Sequence, residues 1–117
     1  MVKSNSPGPR NVRDVVDIPK SVLDQARKSA FELYNARRLE QAEIMVKGVL
    51  AVDEKDVWSQ ALLGSIRRQQ RRFREALQLM ETALALDPEN GNIRSMRNEL
   101  AALLSRGEQA PSAPKGI

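Results

Sequence analysis

Asp53, Glu54 and Asp56 fall within four residues around Lys55, the first grouping in this chain that could do chemistry. A hard cation needs a cage of ~6–8 oxygens at defined positions. Three carboxylates and a lysine in a polar turn do not build one, and a solvated loop is the better reading. The 117 residues include no histidine and no cysteine. The usual general base, the thiol nucleophile and the imidazole or thiolate metal ligand are therefore missing. No glycine-rich phosphate loop is present. No enzyme is expected, and no catalytic residue, metal site or cofactor.

Two other groups can recognise rather than react. Arg67, Arg68, Arg71, Arg72 and Arg74 place five arginines in eight residues, a density that can meet nucleic acid or an acidic partner. Helical spacing scatters these side chains around a helix end and a turn, and Phe73 among them takes a core position. A solvated turn is expected ahead of an acidic protein partner, and nucleic acid comes last. The second group is aromatic. Phe31, Tyr34 and Trp58 are three of the chain's four aromatic residues, and buried aromatics and arginines dominate binding energy at interfaces.

The elements that must position them follow from periodicity. Pro19 suits a first helical turn, and a first helix runs to about Ala36, with Val22, Leu23, Ala26, Ala30 and Leu33 on its inner stripe. Phe31 and Tyr34 stand on another stripe. A second helix spans Leu39 to Val52. Asp56 can cap a third, Val57 to Gln70, by accepting amide hydrogen bonds. A fourth covers Phe73 to Leu86. A fifth, Asn92 to Ser105, turns Ile93, Met96, Leu100, Leu103 and Leu104 inward, with Gly107 as a stop signal.

Composition agrees with one helical domain. At 41% hydrophobic and 29% charged with four aromatics, the core must be built from Leu, Val, Ala and Met. The net charge of +4 sits mostly in the ends, since residues 23–105 hold thirteen Lys and Arg against twelve Asp and Glu. No apolar run approaches the ~18 residues of a membrane span. The first residues lack the apolar centre of a secretory signal, and the cytoplasm is the expected location. Residues 1–17 are too polar to offset the entropy of ordering them and are expected to be a disordered arm. Residues 106–117 are expected to be a flexible tail.

The stretch Leu62–Pro88 recurs. Moving back 34 positions places Ala30 under Gly64, Arg38 under Arg72, Leu39 under Phe73, Ala42 under Ala76, Val46 under Met80, Val49 under Ala83 and Asp53 under Asp87, without a gap. A 34-residue helix–turn–helix period resembles the tetratricopeptide family, over roughly Leu23 to Leu104. Gln60 and Arg67 stand where large apolar residues are usual, and Glu54 where proline is usual. The resemblance implies an all-α right-handed superhelix: residues 18–105, with repeats at about 23–56 and 57–90 and a capping helix at about 92–105.

In that family the first helix of each unit lines a concave groove. The matching positions here are Asp24, Arg27, Phe31, Tyr34 and Asn35, then Trp58, Ala61, Ser65, Arg68 and Gln69. The resemblance thus implies a peptide-binding set of Arg27, Phe31, Tyr34, Asn35, Trp58, Ala61, Ser65, Arg68 and Gln69. The competing reading is that Phe31 and Trp58 fill gaps between hairpins. The carboxylate clamp of some family members needs asparagines where Phe31 and Ser65 stand.

The run Ala30-Phe31-Glu32-Leu33-Tyr34-Asn35-Ala36-Arg37-Arg38-Leu39-Glu40-Gln41-Ala42-Glu43 also resembles the first repeat of type III secretion translocator chaperones. It shares an aromatic and a tyrosine before the turn, then a basic residue, an apolar one and Glu before the alanine. Arg67 stands where some of them carry arginine. The likeness implies that an extended segment of a secreted translocator lies in the groove, touching Phe31, Tyr34, Trp58 and Arg68. Those chaperones have three repeats and are usually acidic, whereas this chain has two plus a helix and is basic. The expected function is protein binding, as an adaptor or secretion-type chaperone for an extended or helical peptide segment. A self-assembling homodimer and a nucleic-acid-associated protein using the arginines are the alternatives.

Overall fold

Five α-helices follow one another: α1 (Lys20–Asn35), α2 (Leu39–Val52), α3 (Val57–Gln69), α4 (Phe73–Leu86) and α5 (Gly91–Ser105). The computed structural model describes residues 18–107, and no strand occurs among them. The expected arm at 1–17, and the tail beyond Gly107, lie outside the described residues.

The 34-residue period is written into the backbone at every joint. Among the described residues, Arg37 and Arg71 are the two non-glycine residues at positive φ, at 64° and 63°. After each, the amide of Arg38 donates to Leu33 O at 2.9 Å and that of Arg72 to Arg67 O at 2.8 Å. This pattern satisfies the last carbonyls of α1 and α3 and reverses the chain. At the other kind of joint, Asp56 accepts from the amide of Ser59 and Asn90 from that of Ile93. Each satisfies an otherwise orphaned amide at the start of its helix. Gly107, at φ 84°, follows α5, as a helix stop should.

Contacts fix the directions. Arg27 meets Asp56 and Tyr34 meets Gln69, so α1 and α3 run parallel. Ser65 meets Met96 and Arg68 meets Glu99, so α5 runs parallel to both. Glu43, early in α2, pairs with Arg67, late in α3, so α2 runs the other way. The result is two hairpins and a fifth helix side by side, an all-α array.

The core lies between these elements. Ala30, Ala42 and Val46 pack with Leu62, Leu63 and Ile66. Phe73, Ala76, Met80 and Ala83 pack with Ile93 and Leu100. Leu23, Val49 and Val52 form a third cluster under Ile18 and Ala26. Val22, expected on the apolar stripe of α1, is instead 53% exposed, since no other described element packs over it.

The two polar departures are buried with partners of their own. Gln60 Nε2 donates to Glu54 O at 2.6 Å, tying down the α2–α3 turn. The Gln60 Oε1 atom is buried without a hydrogen bond among the described residues. Arg67 is 7% exposed and joins three helices. It donates to Glu43 at 2.8 and 3.0 Å, to Gln70 at 3.0 Å, and lies 3.2 Å from Glu75.

Candidate functional site

Phe31 on α1 and Trp58 on α3 meet edge to face, with ring centroids 6.2 Å apart. Tyr34, one turn beyond Phe31, stacks on it at 6.5 Å. Parallel helices with staggered residues on adjoining faces produce this cluster. Phe31 remains 46% exposed and Trp58 40% exposed. An aromatic side chain buries ~150–250 Å² when covered, so roughly half of that on each ring is still in water. At ~25 cal/mol per Å² this leaves about 2 kcal/mol of burial per ring unrealised. The two rings thus touch across the hairpins and each keeps part of its surface open.

The edges of this patch are braced. Tyr34 is half-buried against the first core cluster, and its hydroxyl accepts from Gln69 Nε2 at 3.5 Å. Gln69 Oε1 in turn accepts from Arg37 at 2.7 Å. Below the rings, Arg27 donates to both carboxylate oxygens of Asp56, at 3.0 and 3.2 Å, and to Asp24 at 2.6 Å. Hydrogen bonding to Asp56 raises the Arg27 pKa against the effect of burial. Burial alone would raise the Asp56 carboxyl, but hydrogen bonds from Arg27 and Ser59 hold it below its ordinary value. Asp56 thus caps α3 and clamps α1 to it with one carboxylate.

The nine residues singled out by the family pattern divide accordingly. Phe31, Tyr34, Trp58 and Gln69 come together. Asn35 is exposed at the end of α1. Ala61 is half-buried against the second core cluster. Ser65 faces Met96 Sδ at 3.9 Å, and Arg68 pairs with Glu99, so both belong to the α3–α5 seam. The guanidiniums of Arg27 and Arg68 are engaged by carboxylates of the chain itself. Sequence reasoning missed Arg37, which reaches the edge of the patch through Gln69; a signal that could have found it is its place 34 residues before Arg71. Among the described residues no group of His, Cys, Asp and Glu is placed to hold a metal ion, and no helix is long and apolar enough to cross a membrane.

No family model matches the chain, and no curated protein matches its sequence. Among solved structures, the chain is similar to the type III secretion translocator chaperone SycD of Yersinia enterocolitica. The TM-score is 0.74 at 21% identity, over 86% of this chain and 74% of that one. At that identity the likeness establishes the fold, an all-helical tetratricopeptide-like array.

Proposed function

We propose that this protein binds an apolar segment of another polypeptide on the Phe31–Tyr34–Trp58 patch, as an adaptor or secretion-type chaperone acting in the cytoplasm. The observation that carries this reading is the pair of large rings left open on a braced two-helix platform. A preordered surface loses little entropy on binding, so a few aromatic anchors can supply the affinity. Asn35, Ala61 and Ser65 would extend the contact along α1 and α3. The likeness to a protein named as a translocator chaperone supports the narrower reading that the occupant is a segment of a secreted protein. The binding unit would be residues 18–105.

The test is to select peptides on the native protein from a displayed library and to titrate the best of them calorimetrically. Phe31→Ala with Trp58→Ala should weaken binding by about 2 kcal/mol or more while circular dichroism shows unchanged helix. Undiminished affinity would count against the patch.

A second reading, self-association, is favoured by the outer face of the first hairpin, where Val22 is 53% and Ile44 is 70% exposed. Light scattering that finds a strict monomer would remove it.

A further inference from the structure

The turns that join first and second helices leave the array along one edge, because α1, α3 and α5 run parallel. Arg37 and Arg38 sit in the first such turn, and Arg71, Arg72 and Arg74 in or beside the second. Arg37 and Arg71 share a backbone conformation, as do Arg38 and Arg72, at φ −94°, ψ 70° and φ −98°, ψ 71°. The two turns therefore present the same basic pair twice.

Neutralisation along this edge is incomplete. Arg72 pairs with Glu75 at 2.8 Å and Arg68 with Glu99. Arg37 and Arg38 reach only the amides of Gln69 and Gln41, at 2.7 and 3.5 Å. Arg71 stacks over Phe73, with its central carbon 5.3 Å from the ring centroid. Stacking engages the guanidinium face and leaves the five in-plane N–H donors for other acceptors. Arg74 is exposed. Among the described residues, no carboxylate contacts Arg37, Arg38, Arg71 or Arg74. The opposite edge, at the turns after α2 and α4, carries Asp53, Glu54, Asp87 and Glu89.

We infer that the α1–α2 and α3–α4 turns form a docking edge for an acidic polypeptide segment, whose carboxylates pair with Arg37, Arg38, Arg71 and Arg74. The guanidinium fork matches a carboxylate with two parallel hydrogen bonds. Two features favour a peptide over nucleic acid. Phe73, the aromatic residue within the arginine run, is buried beneath Arg71, so it offers no face for base stacking. Exposed Glu40 and Glu75 stand among the arginines. A continuous phosphate backbone would have to pass over them, whereas spaced carboxylates can avoid them.

The experiment measures fluorescence anisotropy of a labelled oligoglutamate peptide, with an oligothymidylate of equal length alongside, over a salt series. The edge predicts oligoglutamate binding at low ionic strength that weakens as salt rises. Replacing Arg37, Arg38, Arg71 and Arg74 by glutamine should weaken it about ten-fold or more. Trp58→Ala should leave it unchanged, which separates this edge from the aromatic patch. No oligoglutamate binding at low salt, binding that survives the four replacements, or tighter binding of oligothymidylate would each overturn the inference. Melting of the glutamine variant followed by circular dichroism shows that any loss is not unfolding.

Discussion

The terminal methyl of Met80 occupies the space that a side chain on Gly64 would need: a Cβ there would lie 2.6 Å from Met80 Cε. In the first hairpin, 34 residues earlier, the same two places are held by Ala30 and Val46, both fully buried. One joint has a small residue facing a long one, and the other shares the volume more evenly.

Gly64→Ala alone should change stability by less than about 1 kcal/mol, because the methyl is the end of a flexible side chain that can shift, and the gain in helix propensity offsets the cost of moving it. Gly64→Ala made on Met80→Val copies the first hairpin and should raise stability by about 1 kcal/mol, since the added methyl then fills vacated space. Urea denaturation of the two single variants and the double variant measures the coupling, expected at about 1 kcal/mol. Strictly additive effects would show that the methyl moves aside freely.

Arg67 joins α2, α3 and α4 through Glu43 and Glu75. Arg67→Ala should cost about 2 kcal/mol, since it leaves the partly buried Glu43 carboxylate with Lys47 alone and removes a buried side-chain stem. Arg67→Met with Glu43→Met should come close to the native stability, as buried ion pairs often gain little over apolar packing. Chemical denaturation separates the two outcomes.

The same pair sets a pH dependence. Hydrogen bonds from Arg67, then from Lys47, pull the Glu43 carboxyl from an ordinary value of 4.5 down to about 2. The unfolded chain takes up this proton first, so the contribution is complete above about pH 5 and disappears as pH falls toward 2. The melting-temperature gap between the native protein and Glu43→Gln should be widest near neutral pH and close across that window. A gap that stays constant to the acid end would remove Glu43 as its source.

Arg37 and Arg71 hold a left-handed conformation that costs a side-chain-bearing residue ~1–2 kcal/mol. Arg37→Gly should raise stability by about 1 kcal/mol, read as a higher denaturation midpoint. Arg71→Gly should gain less, because it also gives up the stacking on Phe73, worth ~0.5–1 kcal/mol at an exposed site.

Within each helix the residues already disclosed their places. Phe73 aligned with Leu39 and is buried, Asp56 caps α3, and Ile93 and Leu100 face inward. Periodicity reports which side of a helix is apolar, and a fixed period reports how successive helices stack. It does not say which long polar side chain reaches which neighbour. Arg27 meeting Asp56, Arg68 meeting Glu99, and Arg67 meeting both Glu43 and Glu75 span 8 to 31 positions, and they depend on side-chain reach once the helices are in place. The arginine run read as a solvated turn in the one-dimensional pattern. In three dimensions its first member is a buried strut, and only the later ones face water.

Trp58, the chain's single tryptophan, stands partly open where the two leading helices meet. Indole emission moves to shorter wavelength when water leaves its ring. The protein thus carries an optical gauge of occupancy at that spot, readable without a dye.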